Sequence, residues 1–183
     1  MTYYSSKDMA KSFRTVRKNT LTIANEIPEN KYDFRAAPDC RNIAQTLTHI
    51  AFSPGFQLHV HTNNIDDLTK VNFMELFQEF GAEEARPRTK AEIIVLLTAK
   101  GEEFAAYLEK QPESFLAEQV AMPPGAETPT KSRFEMLSSS KEHEMHHRGQ
   151  LMVLQRMIGI TPHLTRQMQE RMAQMQAGAS QGR

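Results

Sequence analysis

One proline-free stretch of the chain reads Lys141-Glu142-His143-Glu144-Met145-His146-His147-Arg148-Gly149-Gln150. In a helix, His143 and His147 fall on one face, about 6 Å apart along the axis. Two neutral imidazoles presented in this way can grip one transition-metal ion, and imidazole nitrogen suits zinc, nickel, copper or iron. Two imidazoles alone leave a divalent ion under-coordinated, so a third ligand must come from another segment. His49, within Gln45-Thr46-Leu47-Thr48-His49-Ile50, is the candidate, because it adjoins the inward positions of a second helical stretch that a bundle can bring opposite the pair.

The remaining chemistry-bearing residues read differently. His146 is turned about 100° from His147, toward solvent or the edge of the site. His59 and His61 are expected at the surface, and His163, after Pro162, in a loop. His143-Glu144-Met145-His146-His147 also satisfies the H-E-x-x-H pattern, in which the glutamate is a general base beside zinc. The extended pattern needs glycine at 150 and histidine at 153, where this chain has Gln150 and Val153. The other type of third ligand, Glu170, lies beyond the helix stop, and no strand precedes the motif to hold a peptide. A zinc protease is the lesser alternative. Glu142 and Glu144 are placed on the solvated side, although Glu144, Arg148 and Gln150 stand as the candidate catalytic groups.

Long helical periods must position these residues. The first segment runs from Tyr3 to Ile27, with Met9, Phe13, Val16, Ile23 and Ile27 on one side and Lys7, Lys11, Arg14 and Lys18 as its solvated back. The second begins near Asp39 to Asn42, carries Ile43, Leu47 and Ile50 inward, and is kinked or interrupted at Ser53-Pro54-Gly55. A short amphipathic piece, Phe73 to Phe80, follows. Thr89-Lys90-Ala91-Glu92 has capping-box spacing and starts the third long helix, with Ile93, Leu97, Phe104 and Leu108 inward. A proline-rich crossover with a short extended piece within Leu116 to Met122 leads to the fourth, from Lys131 to Ile158. Heptad reading of that helix puts Met136, Ser140, His143, His147, Gln150, Leu154 and Met157 on a shared face with a polar centre. Such a centre encloses water, a partner network or a metal. A final helix, Leu164 to Met175, aligns Leu164, Met168, Met172 and Met175 as core or interface packing, or as a lid over a binding site. Strand-like alternation is scarce, so the fold class is all-α: a four-helix bundle with a short additional C-terminal helix, one domain over residues 1–175 and a disordered tail over 176–183.

Lysine plus arginine equals aspartate plus glutamate at 22 each, which gives no electrostatic reason to expect nucleic acid or an anionic membrane as partner. Cys40 is the single cysteine and forms no internal disulfide. No long apolar segment suggests secretion or membrane insertion, and a cytoplasmic location is the default expectation.

At Thr48-His49-Ile50, His143-x-x-x-His147-Arg148-Gly149-Gln150 with Leu151, and Ile158-Gly159-Ile160, the chain resembles the DinB and YfiT-like family of metalloenzymes. Tyr32-Asp33-Phe34-Arg35 with Pro38 is similar to the usual opening of that family. The resemblance implies a four-helix bundle, a three-histidine divalent-metal site at His49, His143 and His147, zinc or nickel as the ion with manganese or iron as further options, and a homodimer. Gly149 is expected to permit close helix approach, Gln150 to hydrogen-bond near the metal, and Arg148 to pair with a carboxylate. The chain departs from many relatives in having no tryptophan, and the segment after Pro162 lies outside the motif. Some family members transfer low-molecular-weight thiols, which implies a small-molecule substrate and a thiol-dependent S-transferase, or else a hydrolase. The alternative from another class is a non-catalytic metal-binding or stress-response protein.

Overall fold

Capping residues set where the helices begin. In the computed structural model, which describes residues 4–181 with side chains as far as residue 178, Ser5 and Asp8 form a reciprocal capping box at the start of α1 (Ser6–Glu26). The expected start at Tyr3 lies outside the described residues. Asn42 and Gln45 cap α2 (Ile43–Phe52) in the same way. Pro54 ends that rod and occupies the first turn of α3 (Pro54–Thr62), where its missing N–H is not needed. Asn72 caps α4 (Phe73–Ala85), and the anticipated Thr89–Glu92 box opens α5 (Lys90–Glu109). After α6 (Glu113–Ala117), β1 (Gln119–Ala121) and β2 (Thr130–Ser132) pair antiparallel with Val120 opposite Lys131. The hairpin claims Lys131, so α7 (Arg133–Met157) starts two residues later than expected, on the Ser132 cap.

The bundle consists of α1, the broken rod α2–α3, α5 and α7, with α4 laid against α2. One apolar cluster joins Ile23, Ile43, Leu47, Ile93, Leu97 and Leu151. A second joins Phe13, Phe104, Leu108 and Leu137 at the other end, and Val60, Leu68, Val120 and Met136 pack under the hairpin. α8 (His163–Gln181) continues past the expected end at Met175, so residues 176–181 are helical where a disordered tail was anticipated; residues 182–183 lie outside the described residues. No proline interrupts Gln176–Gln181, and alanine and glutamine favour helix propagation. Its methionines do not enter the core: Met168, Met172 and Met175 are exposed.

A polar layer crosses the bundle between the two main clusters. Arg17 and Glu144, 4% and 0% exposed, form a two-pronged ion pair, with Arg17 Nε 2.9 Å from Oε1 and Nη2 2.9 Å from Oε2. Thr20 Oγ1 donates to Glu144 Oε1 at 2.7 Å. Arg17 also donates to the carbonyl oxygens of Leu97 (2.6 Å) and Ile50 (3.2 Å). The Ile50 carbonyl, which also accepts from Ser53 Oγ at 3.1 Å, has no helical N–H partner because the residue four positions on is Pro54. Gly101 leaves the space this requires, since an added Cβ would stand 2.8 Å from Arg17 Cγ. The solvated placement expected for Glu144 is therefore corrected. The basic back of α1 holds, with Arg14 reaching across to Glu102 and Glu109 of α5.

Candidate metal centre

α2 and α7 bring three imidazoles to one point. His143 Nε2 lies 3.2 Å from His49 Nε2 and 3.2 Å from His147 Nε2, and the ligand atoms of all three fall within 4.8 Å of one another. His147 is buried and the other two are half-buried. The far side of two of the rings is held. His49 Nδ1 donates to the Glu84 carboxylate, which Arg41 Nε supports at 3.3 Å, and His147 Nδ1 donates to Gln150 Oε1 at 2.8 Å. Gln150 Nε2 in turn donates to His146 Nε2 at 3.1 Å, so His146 supports the trio from its exposed edge.

These outer bonds fix tautomers, and the tautomers test whether a cation fits. With Nδ1 protonated on His49 and His147, each Nε2 presents a lone pair to the same spot. One proton on His143 satisfies one of these lone pairs and leaves the other facing it unmatched; a shared cation satisfies all three nitrogens. The two spacings to His143 agree, since zinc–nitrogen bonds of about 2.0–2.1 Å at tetrahedral angles separate nitrogens by about 3.3 Å. Burial pushes the His143 imidazole down to about 4, with the neighbouring His147 and His49 adding to the effect. Burial also lowers His147, against the opposing hydrogen bond to Gln150. Both rings are thus neutral, as ligands must be, at neutral pH. At Glu84 burial acts upward, but the hydrogen bond from His49, together with Arg41, outweighs it and holds the carboxyl below its ordinary value. No fourth histidine, cysteine or carboxylate joins the group among the described residues.

A family model for the DinB family matches residues 2–178. The chain belongs to the DinB family. Solved structures of similar fold include a DinB-like protein of Bacillus subtilis (22% identity, TM-score 0.62, covering 84% of this chain and 93% of that one). A DinB-like protein of Bacillus cereus aligns at 17% identity and TM-score 0.66, over 88% and 97% of the two chains. YfiT from Bacillus subtilis, described as a probable metal-dependent hydrolase with an unusual four-helix bundle topology, aligns at 12% identity and TM-score 0.67, over 88% and 91%. No curated protein matches in sequence. At these identities the structures establish the DinB fold and nothing finer.

Around the trio, several expectations for this DinB-family chain are corrected. Glu144 is committed to Arg17 and Thr20, so it is not available as the base that the H-E-x-x-H reading needs. Arg148 is half-buried with no carboxylate partner among the described residues. Gly149 is exposed, and an added Cβ there meets nothing within 4 Å, so it permits no close helix approach. Gln150 and Met157 leave the inward face, where Leu151 and Gln155 are buried instead, because a straight helix drifts about 20° per heptad from a strict seven-residue stripe. His61 is 1% exposed rather than at the surface: its Nε2 donates to Gln57 Oε1 at 3.1 Å and its Nδ1 accepts from Arg133 Nη1 at 3.0 Å. His163 opens α8 and is buried beside Asn19. None of the described residues of α8 lines the cavities beside the trio, so α8 is not a lid.

Sequence reasoning missed Glu84, Arg41 and Arg17. Arg17 and Glu144 had a readable signal. Arg17 stands seven residues after Ala10 and seven before Ala24, and Glu144 seven after Leu137 and seven before Leu151, all of them buried. No described helix is long and apolar enough to cross a membrane.

Proposed function

We propose that this chain is a metal-dependent enzyme acting on small molecules, with His49, His143 and His147 as the protein ligands of one divalent ion. The convergence of three Nε2 atoms whose outer partners fix two of the tautomers carries this reading. Zinc and nickel suit an all-imidazole set better than manganese, which prefers oxygen ligands. A bound ion of this kind supplies positive charge that lowers the pKa of water or of a thiol held beside it. The chain's own groups do the positioning. Glu84, anchored by Arg41, and Gln150 hold the rings of His49 and His147 and keep their protons on Nδ1. Three protein ligands without a fourth suit a catalytic site better than a bracing one.

Between group transfer and hydrolysis, the surroundings favour transfer. The trio is flanked by two cavities, of about 590 Å³ on the His49–His143 side and about 550 Å³ on the His147 side, with Arg41 on the wall of both. Two separate cavities fit two organic substrates. In a thiol transfer, the sulfur lone pair forms the new carbon–sulfur bond, the leaving group departs with the bonding pair, and the thiol proton passes to solvent. Hydrolysis is the second reading, favoured by the fold shared with YfiT.

The test is incubation of the metal-loaded protein with cysteine or glutathione and an electrophilic chloronitrobenzene, with mass-spectrometric detection of the thioether. Metal-dependent product, absent in His143→Ala, supports transfer. Failure with common thiols alongside metal-dependent cleavage of an activated ester moves the assignment to hydrolase. Neither activity, in protein that binds metal stoichiometrically, leaves the bracing role.

A further inference from the structure

The two cavities beside the trio differ in character. The His49–His143 cavity is walled by Phe52, Phe56, Phe73, Phe77 and Phe80, half of the ten phenylalanines in the chain. The His147 cavity contains no aromatic residue apart from that histidine, and is bounded instead by aliphatic Val153 and Leu154 together with Arg41, Asp39 and Gln150. The phenylalanines come from both halves of the broken rod and from α4, and they form an ordered wall: Phe56 stacks on Phe73 at 5.7 Å, and Phe73 meets Phe77 at 6.1 Å. Gly55 provides the seat for Phe80, since a Cβ at residue 55 would lie 3.0 Å from the Phe80 ring. Phe56 and Phe73 also pack against the Val60 cluster, so only part of the wall serves the core. Here Phe77 is left 61% exposed, on a wall facing the candidate metal centre.

The α7 wall of the same cavity supplies a second, independent observation. Ser140 is 4% exposed, yet its Oγ has no hydrogen-bond partner. A buried hydroxyl without a partner is costly, and a ligand oxygen that accepts its proton removes that cost. Ser140 precedes His143 by three residues, so both line the cavity from one face of α7.

We propose that this cavity binds the aromatic portion of an organic substrate. The ring lies among the phenylalanines of α2, α3 and α4, a hydroxyl or carbonyl oxygen accepts from Ser140 Oγ, and the reacting atom is turned toward the histidine trio. The volume, within the usual few-hundred-Å³ range of small-molecule sites, admits a one- or two-ring molecule with substituents. This assignment deepens the proposed function and rests on it for the reacting end alone. In the thiol-transfer reading it makes the aromatic molecule the electrophile and leaves the His147 cavity to the thiol.

The experiment is a calorimetric or fluorescence titration with 2-naphthol and with naphthalene, on apo-protein and on zinc-loaded protein whose metal content is measured separately. Saturable 2-naphthol binding is expected in both forms. Ser140→Ala should weaken 2-naphthol about fivefold and leave naphthalene unchanged. Phe56→Ala should weaken both about tenfold. Gly81→Phe places a ring on the cavity wall at a helical position where an added Cβ meets nothing within 4 Å, so it should fold normally and abolish binding. Binding unaffected by Gly81→Phe, or no binding to a protein that holds metal stoichiometrically, overturns the cavity assignment and leaves the metal reading standing. Binding blocked by Gly81→Phe in a protein that takes no metal upholds the cavity and removes the metal.

Discussion

Arg17 of α1 and Glu144 of α7 meet as a buried two-pronged ion pair, Glu144 being the chain neighbour of His143. The pair ties the helix that carries two of the histidines to the far side of the bundle. Its remaining donors reach the carbonyls of Leu97 and Ile50, so one guanidinium touches all four principal rods.

Removing one partner leaves a buried charge uncompensated. Glu144→Ala should lower the unfolding free energy by about 3–5 kcal/mol, measured by urea denaturation, whereas exposed Glu142→Ala should change it by less than about 0.5 kcal/mol. Equal effects at the two positions would contradict the buried pair.

Gly101 makes a sharper test because it removes no charge. Gly101→Ala raises helix propensity, yet its Cβ would lie 2.8 Å from Arg17 Cγ and 2.9 Å from Nη1. A loss of about 1–3 kcal/mol is expected, where an unobstructed helical site would gain up to about 1 kcal/mol. A gain in midpoint would show that Arg17 does not lie against α5 as described.

How much of this was legible in the sequence differs by residue. The bundle, the Pro54 break and the Thr89 cap follow from local rules, and the trio from histidines four apart beside an apolar stripe. Glu84 carried no such signal: it lies on an amphipathic helix with Glu75, Glu79 and Glu83, and only the packing of α4 on α2 singles it out. Arg17 was hidden among surface lysines, and Glu144 by its apparent place in a protease motif. In both cases the seven-residue spacing to buried neighbours outweighed the polarity of the side chain.

Glu84 supports His49 from behind, and removing such a partner costs metal affinity rather than all binding. Glu84→Gln should weaken zinc binding about 10- to 100-fold in competition with a chromogenic chelator. An unchanged affinity would remove Glu84 from the site.

His61 gives the fold a pH dependence of its own. Burial, followed by the charge of Arg133, depresses its folded pKa from the ordinary 6.5 to about 4. Stability from this group is complete above pH 6.5 and is lost as pH falls toward 4, because the unfolded chain takes up the proton first. The full loss is on the order of 3 kcal/mol. Urea midpoints measured from pH 7.5 to 4.5 should fall less steeply in His61→Gln than in the wild type. Identical slopes would contradict the buried neutral imidazole.

In the proposed function one divalent ion is shared between α2 and α7. Metal content by mass spectrometry on untagged wild type, His49→Ala and His143→Ala, each shown to be folded by circular dichroism, tests it most directly. Near-stoichiometric metal in the wild type and its loss in both variants is the predicted result. A wild type that takes up no metal after reconstitution with zinc, nickel and manganese would rule out the shared ion.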